Sequence, residues 1–93
     1  MTLVLAPRAA RDIRRIAAYL REHDANSALE TLSLIVTSIQ NLERFPHLGR
    51  NMSDLPHRRL PIPRTHYVAF YRIAGGDVLV LHVRDGRRGP PKP

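Results

Sequence analysis

The sequence predicts an α+β domain of order β-α-α-β-β-β, with a helical hairpin packed on a small, mainly antiparallel sheet. Three observations predict it. Apolar residues in the first half recur at i, i+3, i+4 and i+7, the spacing of one helix face. Those of the second half alternate with period two, as in a strand with one face buried. Between them, His47–Pro56 carries Gly49, Asn51, Ser53 and Asp54, the composition of a loop.

The elements follow in order. Thr2–Leu5 is a short apolar run that suits a strand at the sheet edge. Pro7 suits the first position of a helix, where its missing N–H costs nothing. Ile13, Ile16, Ala17 and Leu20 form the apolar face of that helix, and Arg8, Arg11, Asp12, Arg15 and Arg21 its polar face; it fades near Glu22 and His23. Asp24 is the expected N-cap of a second helix. Its stripe is Ala28, Leu32, Ile35, Val36, Ile39 and Leu42, with Leu29 beside it, and it stops near Phe45-Pro46 because proline cannot continue the ladder. Arg58–Ile62 reads as a short strand that Pro61 and Pro63 demote to an edge or a bulged one. In His66–Ile73, Tyr67, Ala69, Tyr71 and Ile73 share one face, and Val68, Phe70 and Arg72 the other. After the Gly75-Gly76 turn, strict alternation over Val78–Arg84 puts Val78, Val80, His82 and Arg84 on one face and Leu79, Leu81 and Val83 on the other. One domain over residues 1–88 and a flexible Pro-rich tail at 89–93 are expected.

Composition narrows the function. Among 93 residues there is no cysteine, which excludes a disulfide scaffold, a cysteine-ligated zinc site and thiol catalysis. No apolar run approaches the roughly 20 residues that span a bilayer, and the start lacks the pattern of a secretory signal. A cytoplasmic protein with no membrane partner is the expectation. The net charge is +7, and fourteen of the fifteen bases are arginine. Residues 1–49 hold six bases and five acids; residues 50–93 hold nine and three. Arginine grips phosphate and carboxylate bidentately, so the basic half predicts an acidic partner. A solvated arginine face from a biased genome explains the same count.

Catalytic signatures are sparse. No serine lies in a Gly-x-Ser-x-Gly setting and there is no glycine-rich phosphate loop. His47, Asp54 and His57 match no recognised metal-ligand spacing, so neither metal nor cofactor is predicted. One constellation remains: Arg58, Arg59, Arg64, Tyr67 and Tyr71 before the hairpin turn, and His82, Arg84, Arg87 and Arg88 after it. Arginines can stabilise a phosphorane-like transition state while His82 or a tyrosine moves a proton. Metal-free RNA cleavage would use Arg59, Arg64, His82, Arg84 and Arg87. The same residues also suit plain roles: tyrosines at a core edge, a satisfied strand histidine, a solvated run at Arg87-Arg88.

Six segments taken together resemble a known family: APRAARDIRRI at 6–16, Tyr19-Leu20, LERFPHLGR at 42–50, Arg59-Leu60, HYVAFYRI at 66–73 and VLHVRDGRR at 80–88. In this order and spacing the chain resembles the RelE/ParE superfamily of toxins from bacterial type II toxin–antitoxin (plasmid stabilization) modules. The resemblance implies the β-α-α-β-β-β fold, a cytoplasmic toxin and a neutralising antitoxin. RelE-like members cut mRNA on the ribosome with basic strand residues; ParE-like members poison DNA gyrase. Of the basic strand positions of the nuclease branch, only one is kept here, at Arg59; the next falls on Pro61 and another on Val68. The wording of LERFPHLGR and HYVAFYRI is also closer to the ParE branch. The favoured reading is therefore a gyrase-directed toxin whose target-binding residues are Arg58, Arg59, Arg64, Tyr67, Arg84, Arg87 and Arg88. The alternatives are a ribosome-dependent endoribonuclease and a non-toxic basic nucleic-acid-binding module. A disordered, acidic antitoxin tail is expected to dock in a toxin–antitoxin hetero-oligomer along Ile13, Ile16, Leu20, Leu32, Ile35 and Val36. Ordinary core packing would use the same six residues.

Overall fold

The computed structural model describes residues 2–87. Strand β1 (Thr2–Leu5) leads into helix α1 (Pro7–His23), which starts on Pro7 after an extended Ala6 and closes with the Asp24 N–H donating to Leu20 O at 2.7 Å. Helix α2 (Ala28–Gln40) starts later than the Asp24 cap predicts. Asp24 closes a turn instead, accepting from the Ser27 N–H at 3.2 Å, and Ser27 takes the N-cap position. The α-helix also ends earlier than Phe45: a single 3-10 turn at Asn41–Glu43 tightens the chain before Pro46.

Four strands follow: β2 (Arg50–Asn51), β3 (Arg58–Pro61), β4 (Tyr67–Ala74) and β5 (Asp77–Asp85). The sheet order is β1-β5-β4-β3-β2, with β1 parallel to β5 and the other neighbours antiparallel. The α+β architecture is as the sequence predicts, with β1 at the edge beside β5. Strand β2 lies inside the stretch read as loop; two residues are too few to show a period. The β4–β5 turn places Gly75 at φ 61°, a conformation open to glycine at little cost.

Strict alternation fails at one point in β5. Phe70 faces His82 and Tyr71 faces Val80, so Leu81 has no partner and forms a bulge. The bulge moves the following residues to the opposite faces. Val78, Val80 and Val83 enter the core, and His82 and Arg84 leave the face of Val78 and Val80 where alternation had put them.

Both helices pack on one sheet face. Ala9, Ile16, Leu20, Ala28, Ile35, Ile39 and Leu42 join Leu60, Ile62, Ala69, Tyr71, Val78, Val80 and Val83 in one apolar cluster. Tyr71 is fully buried within it. Its hydroxyl donates to Pro46 O at 2.7 Å and accepts from the Gly49 N–H at 2.7 Å, tying the loop before β2 to the centre of the sheet. Among the described residues, no helix is long and apolar enough to cross a membrane.

Candidate functional site: the second face of the sheet

No helix of the described chain packs on the second sheet face, and the register defines what it displays. Arg50 opposes Arg59, Arg59 opposes Phe70, and Phe70 opposes His82, forming one row across four strands. The next row is Pro61, Val68 and Arg84. Arg72, opposite Leu79, lies on the same face. The His82 ring stacks on Phe70 with centroids 4.5 Å apart, and the Arg84 guanidinium carbon lies 5.1 Å from the Phe70 centroid. Phe70 and Val68 are thereby almost fully buried without a helix above them. The histidine ring stacks on this apolar floor and the arginine cation lies over it, which lets charged groups collect there without leaving aromatic surface in water.

The structure brings Arg59, His82 and Arg84 of the expected constellation together around Phe70. It sends the rest elsewhere. Arg58 alternates to the helix-side face and donates to Gly49 O at 2.7 Å. Tyr67, half-buried, packs against the core on that same face. Arg87 is held by a carboxylate of its own chain: its guanidinium donates to Asp85 at 2.8 and 3.2 Å. Arg88 and the tail lie outside the described residues. Arg50 and Arg72 also belong to the uncovered face and were not among the expected site residues; alternation alone puts Arg72 on the face of Phe70, whereas Arg50 is found only from the pairing of β2 with β3.

Arg64 sits at the tip of the β3–β4 connection, exposed, with φ 63°. Thr65 N–H donates to Ile62 O at 3.2 Å, and Pro63 precedes Arg64 in the turn. A left-handed residue after proline is where glycine or asparagine usually stands. Replacing Arg64 by Gly is therefore expected to raise stability by about 1 kcal/mol, measured by urea unfolding. Unchanged or lower stability would show that Arg64 relieves its strain through other contacts.

The electrostatics follow from this packing. Burial lowers the His82 pKa first of all; Arg8, Arg84 and His57 add to the effect and Asp12 opposes it. The imidazole is thus biased towards its neutral form, and its Nδ1 is buried without a hydrogen-bond partner among the described residues, as is that of His57. Asp85 is pulled down to about 2, chiefly by the Arg87 side chain. Both shifts make acid destabilising. A histidine with a lowered folded pKa binds its proton more readily when unfolded, so stability falls as pH drops below about 6.5. The Asp85 contribution is complete above its ordinary value of 3.8 and is lost as pH falls towards 2. Asp85→Asn should flatten the lower limb of a stability–pH profile and leave the limb near pH 6 in place; identical profiles would discount the Asp85–Arg87 pair. Among the described residues, no group of three or more His, Cys, Asp or Glu could hold a metal ion.

The helix positions expected to meet an antitoxin divide sharply. Ile16, Leu20 and Ile35 are buried against the sheet, and Ile13 and Leu32 pack partly against the same cluster. Val36 is 41% exposed, in line with the still more exposed Leu29 one turn pair earlier. The outward apolar residues of α2 are therefore Leu29 and Val36.

A helix pair thus covers one side of a five-stranded sheet whose second side bears arginines, an α+β domain with one basic face that carries no helix among the described residues. Residues 3–90 match the family described as "ParE toxin of type II toxin-antitoxin system, parDE", and the chain belongs to that family. It is similar to Toxin RelE1 of Caulobacter vibrioides, 28% identical over 86 residues, covering 91% of this chain and 92% of that protein. It is also similar to Toxin ParE3 of the same organism, 36% identical over 56 residues, covering 60% of this chain and 56% of that one. The solved structure described as "Chromosomal ParDE TA system from P. aeruginosa" superposes with a TM-score of 0.81 at 23% identity, covering 91% of this chain and 95% of its own. That likeness carries the fold. The protein is a type II toxin of the RelE/ParE superfamily.

Proposed function

We propose that this toxin arrests growth in the cytoplasm by binding an essential protein, DNA gyrase, through the second sheet face, and that a cognate antitoxin with an acidic tail neutralises it in a hetero-oligomer. The observation that carries the choice of a protein target is the middle of that face. Pro61, Val68 and Phe70 form an apolar floor there, with Arg50, Arg59, Arg72 and Arg84 on the same face. That floor is itself covered by His82 and Arg84, so the face offers a partner arginine and histidine held in place over apolar carbon, the kind of pre-positioned anchor that protein interfaces use. A phosphate cradle wants converging donors at the centre, where proline and valine supply none.

A second reading is favoured by a different observation. Arg59, His82 and Arg84 converge on Phe70, which would suit an endoribonuclease in which arginine steadies the phosphorane and His82 moves a proton. The lowered His82 pKa suits a base and works against an acid at neutral pH.

The test is to express the chain without antitoxin in bacteria and to follow gyrase–DNA adducts and transcript ends in parallel. The gyrase reading expects adducts and double-strand breaks with transcripts intact. Codon-phased cuts without adducts would overturn it in favour of the nuclease. Normal growth with direct, salt-sensitive nucleic-acid binding would overturn both.

A further inference from the structure

The chain leaves β5 by passing close over the second sheet face. Gly86, the residue after Asp85, donates its N–H to His66 O at 2.6 Å, and the Arg87 N–H donates to Asp85 Oδ1 at 2.9 Å, so the passage is fixed on both sides of the glycine. A Cβ at position 86 would stand 2.5 Å from Val68 Cγ2 and 3.2 Å from His66 O. The Gly86 backbone lies outside the left-handed region that favours glycine, so space rather than conformation requires the missing side chain. Without a Cβ in the way, the backbone settles directly on the Val68 methyl.

Arg59 meets the same place from the other side of β4. Its Cα lies in the row of Arg50, Phe70 and His82, yet its Nη2 reaches to 3.8 Å from the point where a Cβ of residue 86 would stand. The side chain therefore runs across β4 towards the end of β5, beside the buried Val68. Arg84 leans the opposite way: its Cα lies opposite Val68, in the row of Pro61, and its cation over Phe70. The two arginines thus exchange rows on one floor. Among the described residues no carboxylate forms an ion pair with Arg59, so its direction is set by packing against Val68 and the chain at Gly86.

We infer that Gly86 is a positioning residue for Arg59: the absence of a side chain there lets the end of β5 lie on Val68 and leaves the guanidinium its place across β4. The inference rests on the reading of this face as the target-binding surface. A methyl group at position 86 cannot be absorbed in place. Either Val68 turns away, or the chain lifts off it and stretches the Gly86–His66 bond. Both alter the surface against which the Arg59 guanidinium rests, and a displaced cation loses the preorganisation from which binding gains.

The test follows the Arg59 Nε–Hε signal of isotope-labelled full-length protein by NMR, together with growth arrest on expression without antitoxin. Gly86→Ala should move that signal and weaken target binding by about tenfold or more, seen as lost arrest at the expression level where the wild type arrests. Gly86→Ala/Val68→Ala frees the space that the new methyl needs, so it should return the signal towards its wild-type position and recover part of the arrest. An unmoved signal in Gly86→Ala overturns the positioning role, as does a signal that the double variant leaves displaced. Full arrest by Gly86→Ala, with Arg59→Gln inactive, overturns it as well. If Arg59→Gln itself arrests growth as the wild type does, the reading of the face falls, and the NMR arm still decides whether Gly86 places Arg59. If Gly86→Ala does not fold, Val68→Leu takes its place: it crowds the same contact from β4 and should move the Arg59 signal, an unmoved one overturning the inference.

Discussion

Tyr71→Phe is expected to lower the unfolding free energy by about 2–3 kcal/mol, with the loss read from urea unfolding midpoints. The ring remains, so the cost comes from the hydroxyl. Its removal leaves the Gly49 N–H and Pro46 O without a bond made in a buried setting. Burial raises the pKa of the phenol against the Gly49 bond and the Arg58 charge, so the hydroxyl is a donor throughout the neutral range. Gly49→Ala attacks the same contact from the other side. A Cβ there would stand 2.5 Å from Tyr71 Cε1 and 2.6 Å from its hydroxyl oxygen, so ring or loop must move, at a cost of about 1–3 kcal/mol. The two effects should be strongly non-additive, since both break one contact. A loss under about 0.5 kcal/mol for Tyr71→Phe would show that water replaces the hydroxyl. The contact also matters for the site: it holds Pro46–Gly49 directly before Arg50, which begins β2 and pairs with Arg59.

Removing charge from the uncovered face should have the largest effect on function. Arg59→Gln/Arg84→Gln keeps most of each side-chain stem and deletes both cations. Anchoring arginines at interfaces are each worth about 2–4 kcal/mol to binding. Even one such loss weakens target affinity by about 30-fold or more, and growth arrest should disappear. Arg84→Lys separates charge from shape. It keeps the cation and loses the flat guanidinium above Phe70, so partial toxicity is expected. Growth arrest at the wild-type level in the double Gln variant, with folding confirmed by circular dichroism, would move the working surface elsewhere. Loss of toxicity in Arg87→Gln alone would point the same way, because Arg87 is engaged by Asp85.

Much of the fold was legible because periodicity reports burial directly. Pro7, the Ile13–Ile16–Leu20 stripe and the Tyr67–Ile73 alternation each name a buried face, and the structure buries those faces together. Ends were harder to read. Asp24 suits an N-cap by type, but its backbone closes a turn to Ser27, and β2 is too short to leave a pattern. The candidate site was half legible. Arginine enrichment after position 49 raised the expectation of an acidic partner, but a count of charges does not say which way each one points. Arg58 and Arg59 are adjacent and therefore face opposite sides of the sheet. Arg87 is engaged by a carboxylate two residues away, a pairing that depends on how the chain leaves β5.

The sequence by itself determined the class of fold, the helical hairpin, the core-facing sides of α1 and β4, and an arginine-rich second half. Those properties follow from local spacing and composition, which need no knowledge of distant residues. The tertiary structure decided the bulge at Leu81, and with it that His82 and Arg84 join Arg59 over Phe70 while Val83 turns to the helices. It also decided that Tyr71 reaches back to Pro46 and Gly49, and that Asp12 takes the rung where β1 stops short of the end of β5. Each of these depends on contacts between residues far apart in the chain, and a one-residue slip in strand register reverses the side every later residue faces.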